Sequence, residues 1–93
     1  MSTAGPVTAE SIPSVRPDIR VRKIRGTLVV AVPEQAFELA ETTAFIWKRI
    51  DGVLTVGGIG ELLAREYEID VETAVEDTIE VLSELVEYGA VRV

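Results

Sequence analysis

The residue types that carry most nucleophilic and acid–base chemistry are missing from this chain: it has no histidine and no cysteine. Without histidine, Ser-His-Asp and Cys-His mechanisms are excluded, and the commonest general base and metal ligand is gone. Without cysteine there is no thiolate nucleophile, no zinc–thiolate site and no disulfide framework. Sixteen Asp and Glu residues remain. A carboxylate pair does acid–base work only where a pocket raises one pKa, and most of these acids fall on a solvated helix face. The run Gly57, Gly58, Gly60 opens a helix, and a glycine-rich helix start can cradle phosphate. GGIG lacks the lysine and spacing of a P-loop and the GxGxxG of a dinucleotide fold. The glycines therefore read as close packing against a neighbouring helix. No metal-ligand spacing is found. The chain is expected to be no enzyme and to hold no cofactor or metal of its own.

What remains is charge and shape. The net charge is −7, with 9 Lys and Arg against 16 acids, and it is unevenly spread. Arg16, Arg20, Arg22, Lys23 and Arg25 crowd one segment, whereas no Lys or Arg lies between Arg65 and Arg92. An acidic surface repels phosphate backbones, so nucleic acid is not an expected partner. The basic cluster reads first as a solvated strand face and second as a contact for an acidic partner. No apolar run approaches a membrane span. The N-terminus lacks the basic start and apolar run of a secretion signal, and a cytoplasmic protein is the simplest reading. Ninety-three residues make one domain.

The elements that must present any binding surface are legible in order. Residues 1–15 are rich in Ser, Thr, Ala, Gly and Pro without periodicity, which predicts a disordered tail, with the folded domain spanning 16–93. IRVRKI over 19–24 alternates like a half-exposed strand, and TLVVAV over 27–32 is apolar on both faces like a central one. The two predict a hairpin turning at Arg25-Gly26. Pro33-Glu34 breaks the second strand. Gln35, Ala36, Phe37, Glu38 and Leu39 alternate again as a third strand at a sheet edge, with its outer backbone groups unpaired. A helix capped by Thr42 or Thr43 then runs to Asp51-Gly52, with Trp47 as a core anchor. Thr55 caps a second helix. Asp70 to Gly89 is a long third helix, Asp70 at its N-cap and Gly89 at its stop. At about 100° per residue its apolar side covers an arc of roughly 160°, from Val71 to Val86. An ordinary surface helix needs only about 100°, so the surplus serves either the core or a partner. A short strand over 90–93 closes the chain.

Three strands, three helices and a final strand define an α+β fold, winged-helix-like: a three-stranded antiparallel N-terminal sheet, then three helices and a short C-terminal strand. FELAETTAFIWKRIDG and VGGIGELLAREYEIDVETAVEDTIEVLSELVEYGAVRV resemble the PqqD family, peptide chaperones of pyrroloquinoline quinone biosynthesis. They are also similar to the wider class of RiPP recognition elements, small domains that bind leader peptides of ribosomally made, modified natural products. The resemblance runs from Arg16 to Val93. It is carried by Phe37 and Leu39, Thr42, Phe45 to Gly52, Leu62 and Leu63, Asp70, and Asp77 before Ile79 and Leu82. Ala40 departs from the pattern, where the family often has Asn or Asp.

The resemblance implies a non-enzymatic chaperone. A precursor's leader segment would add as a strand beside the third strand, in the groove between it and the third helix. It further implies a modifying enzyme as partner, such as a radical S-adenosylmethionine protein, or a leader protease, with the iron–sulfur chemistry belonging to that enzyme. Backbone bonds would give affinity and side-chain pockets selectivity. On the strand side Gln35 to Leu39 are expected to pair antiparallel with the peptide. On the helix side Val75, Ile79 and Leu82 are expected to form the apolar ridge, with Asp77 and Thr78 as secondary contacts. Two other readings share the architecture. One is a winged-helix DNA-binding regulator, opposed by the cation-free third helix. The other is a dimerisation or scaffold module, which leaves a homodimer open.

Overall fold

The computed structural model describes residues 6–32 and 35–93. Eight elements follow in chain order: β1 (Ser14–Val15), β2 (Arg20–Ile24), β3 (Thr27–Val32), β4 (Gln35–Glu38), α1 (Glu41–Lys48), α2 (Val56–Tyr67), α3 (Val71–Glu87) and β5 (Val91–Arg92). β2, β3 and β4 form an antiparallel sheet in that order, and β1 pairs antiparallel with β5. The expected α+β, winged-helix-like order is therefore present, with β1 added.

The hairpin turns where the sequence places it. Arg25 and Gly26 both have positive φ, 53° and 82°, as a two-residue turn matched to strand twist requires. Ile24 opposes Thr27 and Val21 opposes Val30, so Val30 faces the helices and is fully buried. β4 continues the ladder, Phe37 opposite Val30 and Glu38 opposite Val29.

The core lies between this sheet and the three helices. Val30, Leu39, Ile46, Trp47, Ile59, Leu63, Ala74, Leu82 and Leu85 are buried in it together. α2 and α3 cross at Gly60, where an added Cβ would stand 2.8 Å from the Val75 Cα and 2.7 Å from its Cγ2. Only a glycine lets the backbones approach so closely. The packing reading of the glycines thus holds at Gly60. Gly57 instead faces the N-terminal segment, 3.2 Å from the Ala9 carbonyl oxygen to a built Cβ.

That segment corrects an expectation. Residues 7–15 do not behave as a disordered tail: Val7 packs on the core, Pro13 is fully buried and Ser14–Val15 pair with β5. The carbonyls of Ser11 and Ala9 accept the amides of Val56 and Gly57, each at 2.8 Å. Thr55 Oγ1 accepts from Gly58 at 3.0 Å. All three early amides of α2, which no helical carbonyl can reach, are satisfied this way. Residues 1–5 and the Pro33-Glu34 break lie outside the described residues.

Helix ends follow the sequence at α3, where Asp70 accepts from Thr73 at 3.1 Å and Gly89 has φ 83° just past the C-cap. They differ at α1. Its N-cap is Ala40, without a side-chain bond, rather than Thr42 or Thr43. The reason is Leu39, which is buried while its amide still bonds the Leu28 carbonyl at 2.9 Å. The chain must enter the helix directly after it, leaving both threonines inside the first turn. α1 stops at Lys48, and Asp51 Oδ1 then accepts the amides of Val53 and Leu54, each at 2.8 Å. Those bonds, Leu54 first, hold the Asp51 carboxyl below the usual carboxylate range.

Candidate functional site

β4 is an outer strand, and no described residue pairs with its far edge. Which backbone groups face outward follows from the ladder. The Leu39 amide bonds the Leu28 carbonyl, and in an antiparallel pair successive residues alternate between facing the partner and facing away. Gln35, Phe37 and Leu39 therefore turn their amides and carbonyls toward β3. Ala36 and Glu38 turn theirs outward, where a further strand would find them.

Beside that edge runs α3. A groove of about 240 Å³ lies between them. One wall is Phe37, Glu38 and Leu39, with Ala40 and Thr43 at the start of α1. The other is Val81, Glu84, Leu85 and Tyr88. Leu39 and Leu85 are nearly fully buried and form the floor. Val81 is half-buried against the core. The Phe37 and Tyr88 rings meet with centroids 5.0 Å apart and tie strand to helix. Tyr88 nevertheless keeps 47% of its surface exposed. Val81, Glu84, Leu85 and Tyr88 recur at three- and four-residue spacing, so they form one stripe of the helix.

The structure brings together only part of the set expected from the sequence. Phe37, Glu38 and Leu39 line the groove, and Gln35 and Ala36 lie exposed on the same strand. The helix residues expected beside them lie elsewhere. Val75 meets Gly60 of α2. Thr78 is fully buried, its hydroxyl donating to the Ala74 carbonyl at 2.7 Å. Leu82 is fully buried, and Ile79 packs against the core. Asp77 is exposed four residues before Val81. The surplus width of the apolar arc thus splits between two walls. One shoulder covers α2; the other, toward the C-terminus, forms the groove. Sequence reasoning missed Val81, Glu84, Leu85 and Tyr88. The signal available for them was their stripe, which ends next to Gly89.

A larger cleft, about 500 Å³, lies across α1, with Lys23, Phe45, Lys48, Arg49 and Tyr67 among its lining. Arg49 stacks on Phe45 at 4.4 Å, and the Tyr67 hydroxyl donates to Glu41 at 3.3 Å. Loss of solvent and then the Glu41 carboxylate hold the Tyr67 phenol above its ordinary value. Of the outer strand β2 only Lys23, beside the turn, reaches it, and no residue of α3 lines it. Among the described residues there is no group of His, Cys, Asp and Glu that could hold a metal, and no helix long and apolar enough to cross a membrane.

An open strand edge beside an apolar helical wall, on three helices and an antiparallel sheet, defines a winged-helix-like domain. The match is specific: residues 27–91 fit the family model of coenzyme PQQ synthesis protein D (PqqD), and the chain belongs to the PqqD family. The PqqA binding protein of Xanthomonas oryzae pv. oryzae is 30% identical over 81 residues, covering 85% of this chain and 88% of that protein. The PqqD part of Methylobacterium extorquens PqqCD, a stand-alone RiPP recognition element, has the same fold. Its TM-score is 0.80 at 24% identity, over 94% of this chain and 95% of that one. Lasso peptide synthetase B1, complexed with the leader peptide, scores 0.77 at 23% identity over 87% and 98%. PqqD from Xanthomonas campestris scores 0.61 at 26% identity over 94% and 99%.

Proposed function

We propose that this chain is a non-enzymatic peptide chaperone. It binds the leader segment of a ribosomally made precursor peptide by strand addition at β4 and presents it to a modifying enzyme. The observation that carries this reading is the groove: outward amides and carbonyls at Ala36 and Glu38 beside the apolar stripe of Val81, Leu85 and Tyr88. An added strand pairs backbone groups already exposed, so little new desolvation is imposed. Its side chains on the groove side bury against α3. One aliphatic anchor there contributes roughly 1.5–3 kcal/mol before ordering costs. Family membership and the relative that binds PqqA support the same reading.

The test is a titration of the isotopically labelled chain with the PqqA peptide of Xanthomonas oryzae. The expected result is exchange protection at the Ala36 and Glu38 amides and shifts at Val81 and Tyr88. Val81→Glu places a carboxylate on the wall and is expected to weaken binding at least tenfold with the circular dichroism spectrum unchanged. Normal binding by the folded variant, with Ala36 and Glu38 unprotected, would sink the groove. The non-enzymatic part has its own check. The precursor's mass stays unchanged after incubation with the purified chain alone; any modification there overturns it.

A further inference from the structure

The groove is walled by carboxylates and by no cation. Glu38 borders it from the strand and Glu84 from the helix. Among the described residues the one ion pair is Arg16 with Asp18, so neither glutamate is neutralised from within the chain. No Lys or Arg occurs between Arg65 and Arg92, hence none anywhere on α3.

The two glutamates would meet opposite faces of an added strand. Phe37 and Leu39 face the helices, so Glu38, between them, points its side chain to the outer face of the sheet. There it shares a row with Val29 and Arg22. Arg22 is two strands away and makes no ion pair with it. The outward backbone groups of Glu38 make it a hydrogen-bonded partner of one residue in the added strand. The side chains of such a pair lie on one face, about 5.5 Å apart at Cα. Glu84 stands on the groove side, beside Val81 and Leu85. An incoming strand therefore meets one carboxylate above the sheet and one below it, with an apolar floor beside the second.

We infer that this groove selects a leader segment whose apolar anchor is flanked by Lys or Arg, and that it rejects acidic segments. One cation lies directly across from Glu38; another follows the anchor toward Glu84. The reading rests on strand addition as proposed above. Opposite charges across a strand pair are favourable, and like charges there are destabilising, so selection comes as much from repulsion as from attraction. An exposed pair gains little, but an added strand covers both carboxylates and removes part of their screening water.

Two capped octapeptides serve as probes, one repeating Val-Lys-Lys and one repeating Val-Glu-Glu, so that each puts charge on both faces of an added strand. Affinity for the full chain is measured at low and high salt, with amide protection at Ala36 and Glu38 read in parallel. The lysine peptide is expected to bind at least tenfold more tightly at low salt, and the double variant Glu38→Lys/Glu84→Lys is expected to reverse the order. Because the whole chain is acidic, Glu72→Lys/Glu76→Lys on the far side of α3 supplies the control. It changes net charge equally and is expected to retain the preference. Loss of the preference in that control assigns it to overall charge and overturns the inference. So does equal affinity for both peptides with Ala36 and Glu38 protected, which leaves strand addition standing. Absence of protection with either peptide, and with the PqqA peptide, overturns strand addition itself.

Discussion

β2 and β4 are the two outer strands of one sheet, yet only β4 runs along a groove beside α3, whereas β2 gives Lys23 alone to the larger cleft. All five residues of β2 are exposed; Arg20, Arg22 and Ile24 take its outer face, and Val21 and Lys23 the face toward the helices. β4 runs beside α3, with Leu39 just beyond it buried and Phe37 in contact with Tyr88. Both edges leave backbone groups unpaired among the described residues. A bare edge is an invitation to any strand, and clustered charge is one way to decline it. The basic side chains of β2 do that. At β4 the second wall adds apolar surface beside the same kind of edge, so under the proposed strand addition an incoming strand would gain contacts with α3 as well as backbone bonds.

The largest expected effect comes from moving that second wall. Gly60→Ala places a methyl against Val75 backbone and side chain, with the nearest atoms at 2.7 and 2.8 Å. Alanine favours a helix over glycine by about 1 kcal/mol, but backbone cannot yield as a flexible side-chain end does. Overpacking of this kind costs about 1–3 kcal/mol, so the net result is lost stability and a displaced α3. Peptide binding is expected to fall with it. Gly58→Ala is the internal comparison. Its Cβ meets Thr55 Oγ1 at 3.4 Å and Leu54 Cδ2 at 3.5 Å, ordinary contacts, so stability should be unchanged or higher. Chemical denaturation of both variants checks this, and equal destabilisation would remove Gly60 as the spacer of the wall.

Proline substitution separates the edges next. Ala36 points its amide away from β3, so Ala36→Pro keeps the ladder while removing one donor and placing a ring in the path of an added strand. A loss of about tenfold in PqqA affinity is expected, or roughly 1.4 kcal/mol, the scale of one or two net hydrogen bonds. On the opposite edge the two-residue turn makes Ile24 and Thr27 a hydrogen-bonded pair, so Val21 also points its amide outward. Val21→Pro should leave affinity unchanged. If both prolines weakened binding alike, the peptide would not be distinguishing the edges.

Much of this frame was legible before any coordinates, and the gaps have physical causes. The hairpin, the Thr55 and Asp70 caps and the Gly89 stop are local, set by residues a few positions apart, and they stand as read. β4 as an edge was legible because an alternating run follows a central strand. β1 was not, since two residues carry no periodicity and Ser14–Val15 become a strand only by pairing with β5 across the fold. Residues 7–13 were misread for the same reason: their role as acceptors for α2 depends on partners more than forty positions on. The helix wall was half legible. Arc width shows that α3 has apolar surface to spare, but which shoulder faces β4 is decided by the crossing at Gly60, a contact between helices.

The smallest expected effect concerns a residue that borders neither edge. Asp51 holds the turn between α1 and α2 through the amides of Val53 and Leu54, and those bonds lower its carboxyl pKa from 3.8. A depressed pKa means the folded state favours the charged form. Its stabilisation is present above the unfolded value and is lost as pH falls through the folded one. Asp51→Asn keeps an oxygen acceptor but removes the charge that strengthens both bonds. The variant should be slightly less stable than the parent at pH 7, with the gap closing as pH drops below 3.8. Denaturant midpoints measured from pH 7 downward check the sign, and a gap that widened in acid would contradict it. Peptide affinity at pH 7 should not change. A loss there would mean that a small decrease in stability alone perturbs the groove, and the losses expected from Gly60→Ala would then need no displacement of α3 to explain them.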